Sequence, residues 1–150
     1  MLNLRFNLIE SIEEEAFIGL TNLNELDLSG YNIQIIKKRS FFGLDNLKKL
    51  DLSNNSIRLV EEEGFFGLNS LNELYLSGNE IMIVEKSFLF GLDNLKRLNL
   101  KFNLIESIEE NYGLYTLNSL IELYLDNNLV KYLSQKFLKR FKNASELTLS

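Results

Sequence analysis

The sequence predicts an α/β solenoid, in which short parallel strands stack into one sheet and irregular segments return between them. Three observations support this fold class. First, the same pattern begins at Leu23, Leu47, Leu71 and Leu95, a period of 24 residues. Second, each repeat opens with Leu-x-x-Leu-x-Leu, the alternation of a short strand with one buried face. Third, an asparagine and two aliphatic residues follow at fixed spacing, and periods of roughly 20 to 29 residues are typical of solenoids.

The 150 residues are predicted to form one domain of five near-complete repeats, with a partial repeat at each end. The repeat that begins at Leu95 contains one extra residue near Tyr112, so its successor begins at Leu120. The predicted boundaries are 1–22 for the first partial repeat, 23–46, 47–70, 71–94, 95–119 and 120–143 for the five repeats, and 144–150 for the last partial repeat.

Each repeat is expected to contribute one short strand and one return segment. The inward leucines of the strand lie on one side because side chains alternate along a strand. Parallel pairing requires a return connection between strands, and about 18 residues of each repeat provide it. We expect mostly irregular or 3₁₀ structure on this convex side. Because a single repeat cannot bury its apolar face alone, stability comes from neighbouring repeats.

An asparagine column marks the point where each strand turns inward. A buried amide can donate and accept hydrogen bonds at once, so it can satisfy backbone groups that leave the sheet. Tyr31 interrupts this column, and we predict a local distortion there, with the side chain turned toward solvent or the convex edge. The column consists of Asn7, Asn55, Asn79, Asn103 and Asn128.

Residues 2–14 and 98–110 differ at a single position, Arg5 against Lys101. Such near identity indicates recent duplication of repeats, and we expect the chain to belong to a longer array. No cap is predicted at either end, because leucines of a strand pattern begin and end the sequence. Open edge strands invite pairing with other chains, so end-to-end or edge pairing is an expected mode of association.

The composition restricts the chemistry that the chain can perform. It has no His, the commonest general base, and no Cys for a thiolate nucleophile or a disulfide. We therefore predict no catalytic activity, no cofactor and no metal site. Asp27 and Asp51 lie side by side, but two carboxylates alone do not make a cation site. A net charge of −5 argues against nucleic acid as a partner, and no apolar run approaches the ~20 residues of a membrane span.

The period, together with a Phe-x-Gly-Leu corner at 17–20, 41–44 and 65–68, resembles the typical subclass of the leucine-rich repeat family. This resemblance implies a right-handed horseshoe whose concave sheet binds a protein ligand. Toll-like receptor ectodomains, small matrix proteoglycans and insect immune proteins are similar, so it also implies a secreted or cell-surface recognition protein of the receptor or innate-immune type. The absence of Cys and of a signal sequence before the first repeat favours the alternative, a cytosolic scaffold or adaptor.

Acceptor patterns for N-glycosylation begin at Asn54 and Asn143. Acidic triplets at 13–15 and 61–63 are predicted to form a solvated convex surface. The basic triplet at 37–39 is predicted to be their ion-pair counterpart.

Outward strand positions form columns across the predicted concave sheet. The first column alternates in sign, and opposite charges on adjacent strands stabilise by about 0.2–1 kcal/mol. It is therefore either a self-neutralising surface ladder or a charged docking strip. The column consists of Met1, Glu25, Lys49, Glu73, Arg97, Glu122 and Glu146, and its signs alternate from Glu25 to Arg97.

The next two columns contain candidate contact residues for a protein ligand. The central column is Asn3, Asp27, Asp51, Tyr75, Asn99, Tyr124 and Thr148. Its tyrosines are candidate anchors because Tyr is enriched at interface hot spots. Lys101 and Phe102 stand beside it, and Phe102 occupies a position where other repeats carry Gly or Asn. Two interpretations of Phe102 remain open: it forms a binding patch with Lys101 and Tyr124, or its ring folds over the neighbouring loop.

Overall fold

The chain forms a stack of coils with one strand of a large parallel sheet in each. The computed structural model describes residues 2–4, 9–84, 87–108, 113–142 and 145–148. The large sheet has the order β1-β2-β4-β6-β7-β8-β9, and a second small sheet pairs β3 with β5. The strands in chain order are β1 (Leu2–Asn3), β2 (Glu25–Asp27), β3 (Ile35–Ile36), β4 (Lys49–Asp51), β5 (Leu59–Val60), β6 (Glu73–Tyr75), β7 (Arg97–Asn99), β8 (Glu122–Tyr124) and β9 (Glu146–Thr148).

The strand register follows the repeat period. Leu26, Leu50, Leu74 and Leu98 are successive partners across β2, β4, β6 and β7, and each is at most 1% exposed. Leu98 then pairs with Leu123, so the extra residue of that repeat is absorbed before β8. The predicted solenoid with one continuous apolar spine is confirmed.

The return segments consist mainly of turns and include a 3₁₀ helix, Gly113–Thr116, as predicted. Among the described residues they also contain β3, β5 and a six-residue helix, α1 (Gln135–Arg140), which the pattern did not indicate. The Oγ of Ser134 accepts a hydrogen bond from Phe137 N at 3.0 Å and caps α1. Within the described ranges, no helix is long and apolar enough to cross a membrane.

A phenylalanine stack runs along the interior of the Phe-x-Gly-Leu corners. The rings of Phe17 and Phe41 stack at 5.9 Å between centroids, and those of Phe41 and Phe65 at 5.7 Å. Phe88 continues the stack edge-on to Phe65 at 6.0 Å. Such pairs contribute about 0.5–1.5 kcal/mol beyond the area they bury, so the corner residues hold successive coils in register.

The asparagine column forms a ladder of buried amides between repeats. Asn79 donates from Nδ2 to the carbonyls of Leu52 and Leu76, both at 3.0 Å, and its Oδ1 accepts from Ile57 N at 2.9 Å. Each amide therefore closes the turn of its own repeat and of the repeat before it. The prediction that these amides satisfy the turning backbone is confirmed for Asn55, Asn79, Asn103 and Asn128, while Asn7 lies outside the described residues.

The prediction for Tyr31 is wrong. Its side chain lies in the core and is only 8% exposed, and Gly30 before it has φ of +79°, like Gly78 with +67°. The turn is undisturbed because Asn55 of the following repeat closes it, donating to Leu28 O at 2.9 Å and accepting from Ile33 N at 3.1 Å. The residue at position 31 can therefore be apolar, because the side chain that closes this turn comes from the following repeat.

Ion pairs link the charged triplets of the return segments, as predicted. The Lys37 hydrogen bond, together with its charge, lowers the pKa of Glu13 below its ordinary value. The pairs are Lys37–Glu13 at 2.8 Å, Lys38–Glu63 at 3.3 Å and Arg39–Glu15 at 2.8 Å.

Candidate functional site

The outward side chains of the large sheet share one surface, which we call the sheet face. The register aligns its first column from Glu25 to Glu146 and its central column from Asp27 to Thr148. The sheet face consists of Glu25, Asp27, Lys49, Asp51, Glu73, Tyr75, Arg97, Asn99, Lys101, Phe102, Glu122, Tyr124, Asp126, Glu146 and Thr148.

Arg97 is the centre of the charge network. Its Nη2 donates to Glu122 Oε1 at 3.0 Å and its Nε donates to the other oxygen of the same carboxylate, which makes a two-pronged ion pair. Its Nη1 lies 3.4 Å from Glu73 Oε1 and 3.3 Å from the hydroxyl of Tyr75. The hydrogen bonds that Arg97 donates to Glu122 lower the pKa of that carboxyl. The bonds that Arg97 donates to Glu122 and to Tyr75 raise the pKa of Arg97 itself.

Tyr75 is held on both sides by charged groups. Its hydroxyl donates to Glu73 Oε2 at 2.7 Å, and the Nζ of Lys49 lies 5.2 Å from the centroid of its ring. Burial raises the pKa of Tyr75, and the neighbouring carboxylate adds to that effect. The ring therefore has a fixed orientation on the sheet face while part of it remains in contact with solvent.

Tyr124 occupies the equivalent position two strands further on. Its hydroxyl lies 2.8 Å from Glu146 Oε2 and 3.0 Å from Glu122 Oε2. The hydrogen bond to Glu146 and burial both raise the pKa of Tyr124. Lys101 Nζ lies 5.0 Å from the ring centroid and 2.9 Å from Asp126 Oδ2, so this tyrosine is also held between charged groups.

The predicted charge ladder holds from Glu73 to Glu122 but not at the other end of the column. Across the described part of the chain, no carboxylate oxygen lies within the 4.0 Å ion-pair distance of Lys49 Nζ. Lys49 extends toward the ring of Tyr75 instead. Glu25 is exposed beside it, so alternation in sequence does not pair every adjacent strand.

Three predicted contact residues also have a structural role that sequence reasoning missed. Asp27, Asp51 and Asn99 each accept a hydrogen bond from the backbone N–H two residues later, at 3.0, 2.9 and 3.1 Å. These are Asx turns, which Asp and Asn favour. In the sequence, this role is indicated by an Asp or Asn at the last position of a strand. Tyr75 and Tyr124 occupy that position in their own strands, and their side chains form no Asx turn.

Phe102 lies in the left-handed region of backbone space, with φ of +54°, and is 59% exposed. The equivalent residues Gly30, Asn54, Gly78 and Asn127 have φ of +79°, +55°, +67° and +56°. Gly and Asn tolerate this conformation, whereas for other L-residues it costs about 1–2 kcal/mol. The repeat that contains Phe102 thus uses an unfavourable residue at this turn and leaves its ring largely in solvent.

The comparisons with known proteins agree with the repeat pattern and the fold. Residues 22–81 match the family model described as leucine rich repeat. A crystal structure of a TLR13–ssRNA13 complex resembles 95% of this chain with a TM-score of 0.86 and 28% sequence identity. The chain therefore resembles the leucine-rich repeat family. A leucine-rich repeat protein from Leptospira interrogans matches 87% of the chain with a TM-score of 0.73 and 29% identity.

The chain resembles Toll-like receptor ectodomains in its fold, but it is much shorter than either of these two structures. It spans 21% of the TLR13 chain and 32% of the Leptospira chain. No protein with a curated functional description matches it. Leucine-rich repeat proteins of this kind are typically non-enzymatic recognition modules, and the fold is consistent with a module that binds protein.

Proposed function

We propose that the chain is a non-catalytic recognition module that binds a protein ligand through the sheet face. The observation that carries the proposal is Phe102, a large apolar side chain that is exposed and held in an unfavourable backbone conformation. Backbone strain of this kind persists where the surrounding structure imposes it, and it is concentrated at binding and catalytic sites. Equivalent turns with Gly or Asn avoid the cost, so stability alone does not account for Phe102.

The two tyrosines supply the rest of the contact surface. Tyr75 and Tyr124 are fixed by hydrogen bonds to Glu73, Glu122 and Glu146 before any ligand arrives. Side chains that are already ordered lose less conformational entropy on binding. Tyrosine is also among the residues that dominate measured interface energies. The sheet face therefore combines an exposed aromatic ring with pre-oriented ones, which suits a protein ligand.

The test begins with affinity capture on the immobilised chain. Proteins retained by the wild type are identified by mass spectrometry, and the dissociation constant of each is then measured by calorimetry. We expect the variant with Tyr75→Ala, Phe102→Asn and Tyr124→Ala to bind at least about a hundredfold more weakly, since hot-spot truncations cost about 2 kcal/mol or more. The matched control replaces three exposed residues outside the sheet face, Met82, Ile83 and Tyr132, by alanine.

A single substitution separates binding from stability. Phe102→Asn places at this turn the residue that Asn54 and Asn127 provide elsewhere, so the free energy of unfolding should be unchanged or higher by about 1 kcal/mol. Loss of affinity together with undiminished stability supports a binding role for the ring. If the alanine control loses affinity and the sheet-face variant keeps it, the proposed binding surface is wrong.

We propose further that the chain belongs to a secreted or cell-surface protein of the receptor or innate-immune type. The support is the similarity to TLR13 and to Toll-like receptor ectodomains generally. Asn54 is exposed, as a glycan acceptor must be, whereas Asn143 lies outside the described residues. Expression with a signal peptide in a eukaryotic secretory host should give a glycan at Asn54, detected by intact mass. An unmodified chain would favour the cytosolic scaffold instead.

A further inference from the structure

The sheet face is dominated by negative charge. Among its described residues, seven carboxylates accompany three cationic side chains, so negative charges outnumber positive ones by four. The carboxylates are Glu25, Asp27, Asp51, Glu73, Glu122, Asp126 and Glu146, and the cations are Lys49, Arg97 and Lys101. An excess of one sign on a binding surface selects partners of the opposite sign and raises their association rate.

The excess is not spread evenly over the sheet face. At its centre Arg97 is engaged by Glu73 and Glu122, and Lys101 is engaged by Asp126 at 2.9 Å. Both cations are held in ion pairs within the sheet face, so a charged partner gains little by displacing them. The centre of the sheet face is therefore a row of ion pairs, and its carboxylates also accept hydrogen bonds from the hydroxyls of Tyr75 and Tyr124.

The carboxylates that lack a cation lie on either side of this centre. On β2 and β4, neither Glu25 nor Asp51 has an ion pair with any residue that the structure describes. Both line a shallow depression of about 70 Å³ that also includes Asp27 and Lys49. Lys49 forms no ion pair with either Glu25 or Asp51, and its Nζ lies 5.2 Å from the ring centroid of Tyr75 instead.

On β8 and β9 the sign alternation of the first column breaks, since Glu146 follows Glu122 where a cation would continue the pattern. The hydroxyl of Tyr124 lies between the two carboxylates, at 3.0 Å and 2.8 Å. A phenol has one proton to donate, so it cannot satisfy both. Glu122 also receives Arg97, which leaves Glu146 as the carboxylate without a cation among the described residues.

We propose that the ligand of the sheet face is a basic protein segment that crosses the strands and places one cationic group over Glu25 and Asp51 and another over Glu146. The inference rests on the proposed function and names the chemistry of its partner. The two acidic positions are separated by about four strand spacings, roughly 20 Å at about 4.8 Å each. An extended segment covers this distance with about six residues, and its central side chains then contact Tyr75, Tyr124 and Phe102.

The probe is a fluorescein-labelled peptide with two pairs of lysines separated by six alternating glycine and serine residues. The comparison peptide has glutamates in place of the lysines. Titration of the ¹⁵N-labelled chain should shift the amide signals of β2, β4, β8 and β9, and those of the return segments should stay constant. Affinity should fall as salt is added, because exposed charges are screened.

The test variant is Glu25→Gln, Asp51→Asn and Glu146→Gln, which removes three charges without changing side-chain size. The asparagine can still accept from Ser53 N, so the turn after β4 is preserved. The expected result is about a tenfold loss of affinity for the lysine peptide, since each exposed ion pair contributes only weakly. The control is Glu14→Gln, Glu62→Gln and Glu106→Gln, which removes three exposed carboxylates outside the sheet face.

The inference is overturned if the control loses as much affinity as the test variant, because the attraction then depends on net charge alone. Equal affinity for the glutamate peptide also overturns it. Measuring both triple variants against the captured protein ligand separates the two proposals. If that ligand requires Tyr75, Phe102 and Tyr124 but not the three carboxylates, the basic segment is wrong and the protein-binding sheet face remains. If neither set matters, both proposals fail.

Discussion

Asn79→Ala should destabilise the chain more than any other single change to a polar side chain in its repeat. The substitution removes three close hydrogen bonds, from Ile57 N at 2.9 Å and to the carbonyls of Leu52 and Leu76 at 3.0 Å, and a longer one to Ser77 O at 3.5 Å. A typical intramolecular hydrogen bond contributes about 0.5–1.5 kcal/mol net, and a buried group left without a partner costs more. Because Asn79 is only 7% exposed, water cannot readily replace the amide, and we expect a loss of about 3–5 kcal/mol.

The assay is urea denaturation followed by far-UV circular dichroism at neutral pH. The control is Asn94→Ala, which removes one exposed hydrogen bond, from Nδ2 to Asn69 O at 2.8 Å, and should cost less than about 1 kcal/mol. Domains of this size are commonly stable by about 5–15 kcal/mol, so the Asn79 variant should lose a large fraction of the total. Equal losses in the two variants would refute the view that the amide ladder holds adjacent repeats together.

Leu74→Ala should lower the free energy of unfolding by about 2–5 kcal/mol, measured by the same denaturation, because the side chain is fully buried. Tyr75 and Tyr124 have folded pKa values raised above the ordinary 10.0, so they should ionise last in an alkaline titration followed by absorbance. The stability they contribute is present below pH 10 and is lost as pH rises through their folded values. Arg97→Gln should remove about 1 kcal/mol at neutral pH. It should also flatten the acid side of the stability profile, because Glu122, with its pKa lowered from 4.5, contributes stability above that pH and loses it as pH falls.

Each of these predictions has a matched control. Leu59 occupies a strand but is 49% exposed, so its alanine variant should lose less than about 1 kcal/mol. For the alkaline titration, the comparison is the double variant with Tyr75→Phe and Tyr124→Phe. A late fraction that survives in the Tyr75→Phe and Tyr124→Phe double variant would contradict the assignment. An acid profile of Arg97→Gln identical to that of the wild type would contradict the role of Glu122.

The fold was predictable from the sequence because its determinants recur. A leucine at the same position of every repeat sets the strand register, in which Leu26, Leu50, Leu74 and Leu98 are successive partners. An asparagine at another fixed position supplies the side-chain amide that closes the turns after the strands. Tyr31 was misjudged because the pattern does not reveal which repeat an asparagine serves. The amide that closes the turn at Tyr31 belongs to Asn55, a full repeat later.

The sheet face was predictable as a surface but not as a network. Alternation along the strands identified which side chains point outward. It could not reveal that Lys49 extends to an aromatic ring while Arg97 bridges two carboxylates, because side-chain conformation depends on neighbours in space. The conformation at Phe102 was indicated by Gly and Asn at equivalent turns, and this signal was present in the repeat alignment.

The amide ladder gives the solenoid a direction. Asn79 lies in one repeat and closes the turn of the repeat before it, through Ile57 N and Leu52 O. Deleting a repeat from the C-terminal side of such an array removes the asparagine that closes the turn of the repeat before it. Deleting a repeat from the N-terminal side removes only a turn that such an asparagine closes, and the asparagine itself remains. Unravelling under force or by exopeptidase digestion should therefore advance more easily from the C-terminal side, one repeat at a time.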